Sequence, residues 1–172
     1  MKFIALLLLP LFSFGQIKLD QKMSLLDEKV EFFTPKELSK MTDEMWKIKY
    51  GNAQRPALAL SDKGIEVNLI AQFTNQKWEE KDLAEYKDFR IANLKKTRTD
   101  VQILEDGIKD INGKKIGFFK FMTQAIGDKI FNYYFFTIVD ERILIFTFNC
   151  TEKLRNVWEK IADDMVATLK TK

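Results

Sequence analysis

Residues 130 to 150 constrain the fold more than any other part of the chain. Ile130 to Val139 alternates Ile130, Asn132, Tyr134, Phe136 and Ile138 on one side with Phe131, Tyr133, Phe135, Thr137 and Val139 on the other. Both sides are mostly apolar, and Ile143, Leu144, Ile145, Phe146 and Phe148 continue the habit after Asp140-Glu141. A lone antiparallel sheet with one wet face alternates apolar and polar residues. This hairpin must therefore be covered on both faces.

The last segment supplies one cover. Leu154, Val157, Trp158, Ile161, Ala162, Met165 and Leu169 recur at helical spacing, with Thr151 placed to cap the helix. A second helix is expected from Glu79 to Arg98. Leu83, Ala84, Tyr86, Ile91 and Leu94 form its apolar stripe, Glu79, Glu80, Lys87, Lys95 and Lys96 stay wet, and the charges match the helix dipole. A third, short one starts at Thr42 and carries Met45, Trp46 and Ile48.

The remaining segments read as hairpins. Met23 to Leu26 returns through Val30 to Phe33 and ends at Pro35. Ala57 to Ser61 and Ile65 to Phe73 flank Asp62-Lys63-Gly64, with Gly64 expected to take the positive φ. Val101 to Ile111, weakened near Gly107, turns back at Asn112-Gly113, whose residues tolerate a type I′ turn. The expectation is an α+β fold with an antiparallel sheet sandwiched between helices (α/β/α), three helices and about six to eight strands. A roll with helices on a single face is the alternative.

The N-terminus reads as an export signal. Met1-Lys2 is basic, Phe3 to Phe12 is apolar apart from Pro10, and Ser13-Phe14-Gly15 offers small residues before a cut at Gln16. The apolar run is shorter than the ~20 residues that span a bilayer, so no stable membrane span is expected after cleavage. No Cys follows the cut to carry a lipid. Residues 1–15 are thus the expected signal peptide and 16–172 one domain, exported to the periplasm or secreted. Of 172 residues, removing fifteen leaves 157, enough to bury a core without disulfides or a structural metal.

Composition argues mainly by exclusion. The chain has no His, the usual metal ligand and the usual general base near neutral pH. Cys150 is alone, which rules out an internal disulfide and a Cys-x-x-Cys site. It ends an apolar run and reads as a buried small hydrophobe, with an exposed thiol as the alternative. Asn149-Cys150-Thr151 formally matches a glycosylation acceptor. The net charge of +3 is too small and too scattered for a nucleic-acid face. The carboxylate pairs Glu79/Glu80, Asp140/Glu141 and Asp163/Asp164 are sequence neighbours without the convergence that acid–base work requires. No catalytic residue, cofactor or metal ligand is expected.

The element order resembles the PsbP-like fold, shared by a photosystem II extrinsic subunit, a Ran-binding import factor and periplasmic DcrB-like proteins. Ile111-Asn112-Gly113-Lys114-Lys115-Ile116-Gly117, Ile130-Phe131-Asn132-Tyr133-Tyr134 and Leu144 to Thr151 are similar to segments of small exported bacterial proteins of this type. The Ser-Phe-Gly cut before Gln also resembles exported proteins of the Bacteroidota. None of the His-containing metal sites of some photosystem subunits has a counterpart in this chain. The resemblance implies binding and assembly rather than catalysis.

Two functional readings follow. The first is a non-catalytic envelope module that engages a protein partner through Trp46, Tyr50 and Arg55, since Arg and large aromatics carry much of the energy of protein interfaces. Against it, Trp46 can equally pack in the core. The second is a carrier or chaperone for an apolar ligand, lipid or transmembrane segment, motivated by Phe118, Phe119, Phe121, Phe131, Tyr133, Tyr134, Phe135 and Phe136. It requires an open apolar groove.

Overall fold

The computed structural model describes residues 17–172, so the expected signal peptide lies outside the described residues. Ten strands and three α-helices follow in the order β1 (Leu19–Leu25), β2 (Val30–Pro35), β3 (Ser39–Lys40), α1 (Asp43–Tyr50), β4 (Leu58–Ser61), β5 (Val67–Lys77), α2 (Leu83–Thr97), β6 (Gln102–Ile111), β7 (Lys114–Ala125), β8 (Asp128–Val139), β9 (Arg142–Thr151), α3 (Arg155–Ala167) and β10 (Lys170–Thr171). They form two antiparallel sheets. The larger has seven strands in the order β3-β4-β5-β9-β8-β7-β6, and the smaller has three, β1-β2-β10.

The doubly apolar hairpin sits at the centre, as its pattern requires. β8 pairs with β7 and β9, and β9 pairs with β5. On one face Phe131, Tyr133, Phe135, Phe146 and Phe148 pack against α3 and the small sheet; Phe135 and Phe146 stack at 4.8 Å, and Phe32 of β2 meets Phe146 edge-on at 5.3 Å. On the other face Phe119, Phe121, Phe136, Ile143 and Ile145 pack under Leu83 and Tyr86 of α2. α1 covers Ile70 of β5 beside it. Helices on both faces make this an α+β sandwich, with the small sheet as an additional part of one cover.

The β6–β7 turn follows local chemistry. Asn112 and Gly113 take φ of 51° and 79°, as a type I′ hairpin requires. Asp140 and Glu141 also take positive φ, at 51° and 58°. Between β4 and β5, however, the left-handed residue is Ile65 (φ 57°) rather than Gly64, because the Asp62 carboxylate accepts from the backbone N–H groups of Gly64 and Val67 and holds the intervening turn. Thr151 also precedes a 3-10 turn (Glu152–Leu154) instead of capping α3 directly, and its hydroxyl makes no capping bond. In α2, Ala84 is exposed and Lys87 is largely covered, because Lys87 turns toward Asp106 of β6.

Candidate protein-binding site

The three residues singled out from the sequence belong to α1 and the loop after it. Thr42 caps this helix by accepting from the Met45 N–H at 3.1 Å, and Asp43 and Glu44 sit at its positive end. Gly51, at φ 62°, ends it and lets the chain double back. The returning loop is tied down at two points. Trp46 Nε1 donates to the Ala53 carbonyl at 2.9 Å, and the Arg55 guanidinium donates to the Met41 carbonyl at 2.6 Å while pairing with Asp43.

This closure brings Trp46, Tyr50 and Arg55 together. Trp46 is 7% exposed and packs on Met41 and Ile70. Its ring lies 4.4 Å from that of Tyr50, inclined by 33°, and 5.6 Å from the Arg55 guanidinium. The indole is therefore a floor rather than a contact surface, and Arg55 and Tyr50 lie against it. Next to Arg55 is a groove of about 260 Å³ between Lys40–Met41 and Arg55–Ala59. It marks the open end of the sheet edge. β3 pairs only with Leu60 and Ser61, and after the Met41 N–H bonds to the Ala59 carbonyl at 2.9 Å the ladder stops.

Behind the stack lies a polar network whose parts were read separately in the sequence. Lys49 extends into it, while Lys47 stays in water. Lys49 Nζ donates to the Ile65 carbonyl and to Asn149 Oδ1, both at 3.2 Å. Asn68 Nδ2 donates to the same two oxygens at 3.2 and 3.1 Å, and Ser61 Oγ donates to Asn68 Oδ1 at 3.0 Å. No carboxylate pairs with Lys49 among the described residues, and burial lowers its pKa to about 8. Burial likewise pushes the Tyr50 phenol up to about 12. Asn149 is thus an interior acceptor, half-buried and doubly bonded, and a poor glycosylation acceptor. Asn68 and Asn149 each sit between apolar neighbours (Val67 and Leu69, Phe148 and Cys150) and are directly opposite in register, the one signal from which the network was recoverable.

Convergent carboxylates do occur, though not as sequence neighbours. Glu105 of β6 and Glu159 and Asp163 of α3 surround Lys120 of β7, with Nζ distances of 3.2, 3.4 and 2.9 Å. Lys120 is 4% exposed, and its ammonium also lies 4.9 Å from the Tyr133 ring centroid. Burial opposes its charge, yet the surrounding carboxylates hold its pKa above the ordinary lysine value. With a cation at the centre, the group acts as an ion-pair clamp between α3 and the sheet. Asp164 instead pairs with Lys160 in water.

The aromatic surplus is interior packing. Phe118, Phe119, Phe121, Phe131, Tyr133, Phe135 and Phe136 are all buried, with only Tyr134 of the set partly exposed. The apolar surface that motivated a ligand carrier is thus occupied by α2, α3 and the small sheet. Cys150 is fully buried, and burial pushes its thiol up to about 12, which removes the reactive-thiol alternative.

No protein-family model matches the chain, and no curated protein matches its sequence. Solved structures do match. Cyanobacterial PsbP (CyanoP) from Synechocystis superimposes with a TM-score of 0.62 at 12% identity, over 88% of this chain and 92% of that one. The Ran-binding protein Mog1p of Saccharomyces cerevisiae gives 0.59 at 10% identity, over 88% and 94%. LpqN of Mycobacterium tuberculosis, described as involved in cell envelope biogenesis, gives 0.56 at 9% identity, over 83% of each chain. Likeness at these identities establishes a shared fold, the PsbP-like one expected from the element order, and by itself transfers no activity.

Proposed function

We propose that this chain is a non-catalytic binding module, exported to the envelope of a Gram-negative bacterium, that engages a protein partner at the Arg55 edge of its larger sheet. The observation that carries the reading is the groove itself. Arg55 is held on the Trp46 indole beside a sheet edge whose ladder ends at Ala59, and Tyr50 packs against the same indole away from the groove. A guanidinium held in place next to unpaired strand backbone is suited to an extended segment that adds to the edge. Lys40 and Arg55 favour an acidic side chain in that segment. Export is supported by the basic, apolar and small-residue layout of residues 1–15. A neighbour named for binding Ran and another for envelope biogenesis are in keeping with a binding role.

The test combines two measurements on protein purified gently from its own envelope. Native mass spectrometry should show a protein-sized added mass, and a photo-crosslinker at Ala57 should capture the same partner. Arg55→Glu should remove both signals while the fold, read by circular dichroism, is retained. A few hundred daltons of added mass instead, or a crosslink unaffected by Arg55→Glu, would sink the proposal.

A further inference from the structure

The opposite end of the larger sheet is also open. β6 is ten residues long and pairs on its inner side with β7 from Gln102↔Met122 to Ile111↔Lys114. Among the described residues no strand pairs with its outer side. Such an edge offers a row of unpaired N–H and C=O groups, and charged side chains commonly keep it from pairing indiscriminately. Glu105, Gly107 and Lys109 point to the face that carries Lys120 and Phe118, whereas Asp106, Ile108 and Asp110 point to the α2 face, where Asp106 pairs with Lys87. A bulge between Ile103 and Glu105 limits the regular stretch at its upper end.

The charge order on this edge discriminates among ways in which two copies can meet. Two antiparallel edges related by a two-fold axis keep each face continuous, so the axis must pass through one residue and its counterpart. Centred on Asp106 or Lys109, the pairing sets like charges directly opposite at the axis itself. Centred on Ile108, it sets Asp106 opposite Asp110 twice. Centred on Gly107, it sets Glu105 opposite Lys109 twice and places no like charges directly opposite. Opposite charges across a strand pair attract and like charges repel, so only this last register is favoured. Two further features fit it. Gly107 has no side chain to crowd the axis, and Lys109 and Glu105 already reach over it, 3.7 Å apart, with Lys109 Nζ 4.0 Å from the Phe118 ring centroid. Ile108, 37% exposed on the other face, gains its own symmetry mate as a diagonal neighbour.

We infer that the β6 edge is a self-association surface: two copies of this chain join antiparallel through Glu105 to Lys109, with Gly107 on the two-fold axis. The larger sheet becomes continuous across the pair, and the Arg55 grooves lie at its two far ends. The inference stands independently of the partner proposed for those grooves.

Sedimentation equilibrium of the purified protein tests it. Wild type should be a reversible dimer that dissociates as salt is raised. Lys109→Glu and Glu105→Lys should each be monomeric alone, because each sets like charges opposite twice, and an equimolar mixture should recover the dimer through two restored pairs. A wild type still monomeric toward about 1 mM, or folded variants that stay apart on mixing, would overturn the inference. Because Glu105 also touches Lys120, Ile108→Asp gives a separate reading: it opposes Asp106 of the second copy and should yield a monomer. A dimer that survives both Lys109→Glu and Ile108→Asp would equally overturn it.

Discussion

The ring of Phe136 lies across the backbone of Gly117 on the neighbouring strand, so closely that a Cβ on Gly117 would stand 2.3 Å from Phe136 Cε2. Phe136 has little freedom to yield, since it is fully buried with the rings of Tyr86 and Phe119 on its edges at 5.0 and 6.4 Å. Gly117→Ala should therefore destabilise by about 1–3 kcal/mol through overpacking, despite the usual preference of a strand for Ala over Gly. Urea unfolding would measure this, and Phe136→Leu combined with Gly117→Ala should cost less than the sum of the single changes.

Asn112 has two separable roles. Its backbone supplies the first positive φ of the β6–β7 turn, and its side chain donates to the carbonyls of Ala167 and Leu169 at 3.2 and 2.8 Å, at the C-terminal end of α3. Asn112→Gly preserves the turn and removes only the clamp. It should cost about 1 kcal/mol by thermal unfolding, with faster amide exchange confined to the last turn of α3 and β10. Exchange unchanged in that segment would show the clamp to be idle.

Lys120 is buried among Glu105, Glu159 and Asp163; Glu105 also pairs with Lys109 and Glu159 with Arg155, so Asp163 depends most on Lys120. Lys120→Met removes the cation beside Asp163 and leaves Lys109 and Arg155 to offset Glu105 and Glu159; with the carboxylates partly exposed it should destabilise by about 1–3 kcal/mol. Adding Asp163→Asn should recover part of that loss, whereas Asp163→Asn alone should weaken the wild type. Recovery would be absent if Lys120 mattered only through the packing of its aliphatic stem.

The element order and the two-sided core were legible because they rest on periodicity. The alternation of Ile130 to Val139 and the spacing from Leu154 to Leu169 survive any tertiary detail. The two-residue strands carry no period, so Lys170–Thr171, the third strand of the smaller sheet, and Ser39–Lys40, at the edge of the larger one, were hidden. Gly64 was the natural choice for a positive φ by local chemistry, but the Asp62 carboxylate moved that conformation to Ile65. For the site, residue type pointed to Trp46, Tyr50 and Arg55, and the fold does gather them. Lys49 and Lys120 were illegible, since a lysine in a charged or alternating segment looks solvated until chain closure brings Asn149, or Glu159 and Asp163, against it.

Lys49 yields a pH prediction whose sign is opposite to that of most lysines in ion pairs. Its pKa falls from the ordinary 10.5 to about 8 in the fold, so between those values the unfolded chain binds more protons than the native one. Stability must then rise with pH across this window, while below about pH 8 both states carry the charge and the burial cost is present in full. Cys150 works in the other direction. Its thiol is raised from 9.0 to about 12, so it contributes stability that is complete below pH 9 and lost as pH climbs toward 12. The net rise should therefore be confined to roughly pH 8–9 in the wild type, and in Cys150→Ala it should continue toward pH 10. Lys49→Met should abolish the rise in both backgrounds. Urea midpoints at half-unit pH intervals would separate the two groups, and a wild-type profile already flat from pH 8 to 9 would mean that Lys49 is solvated rather than held in the Asn68–Asn149 network.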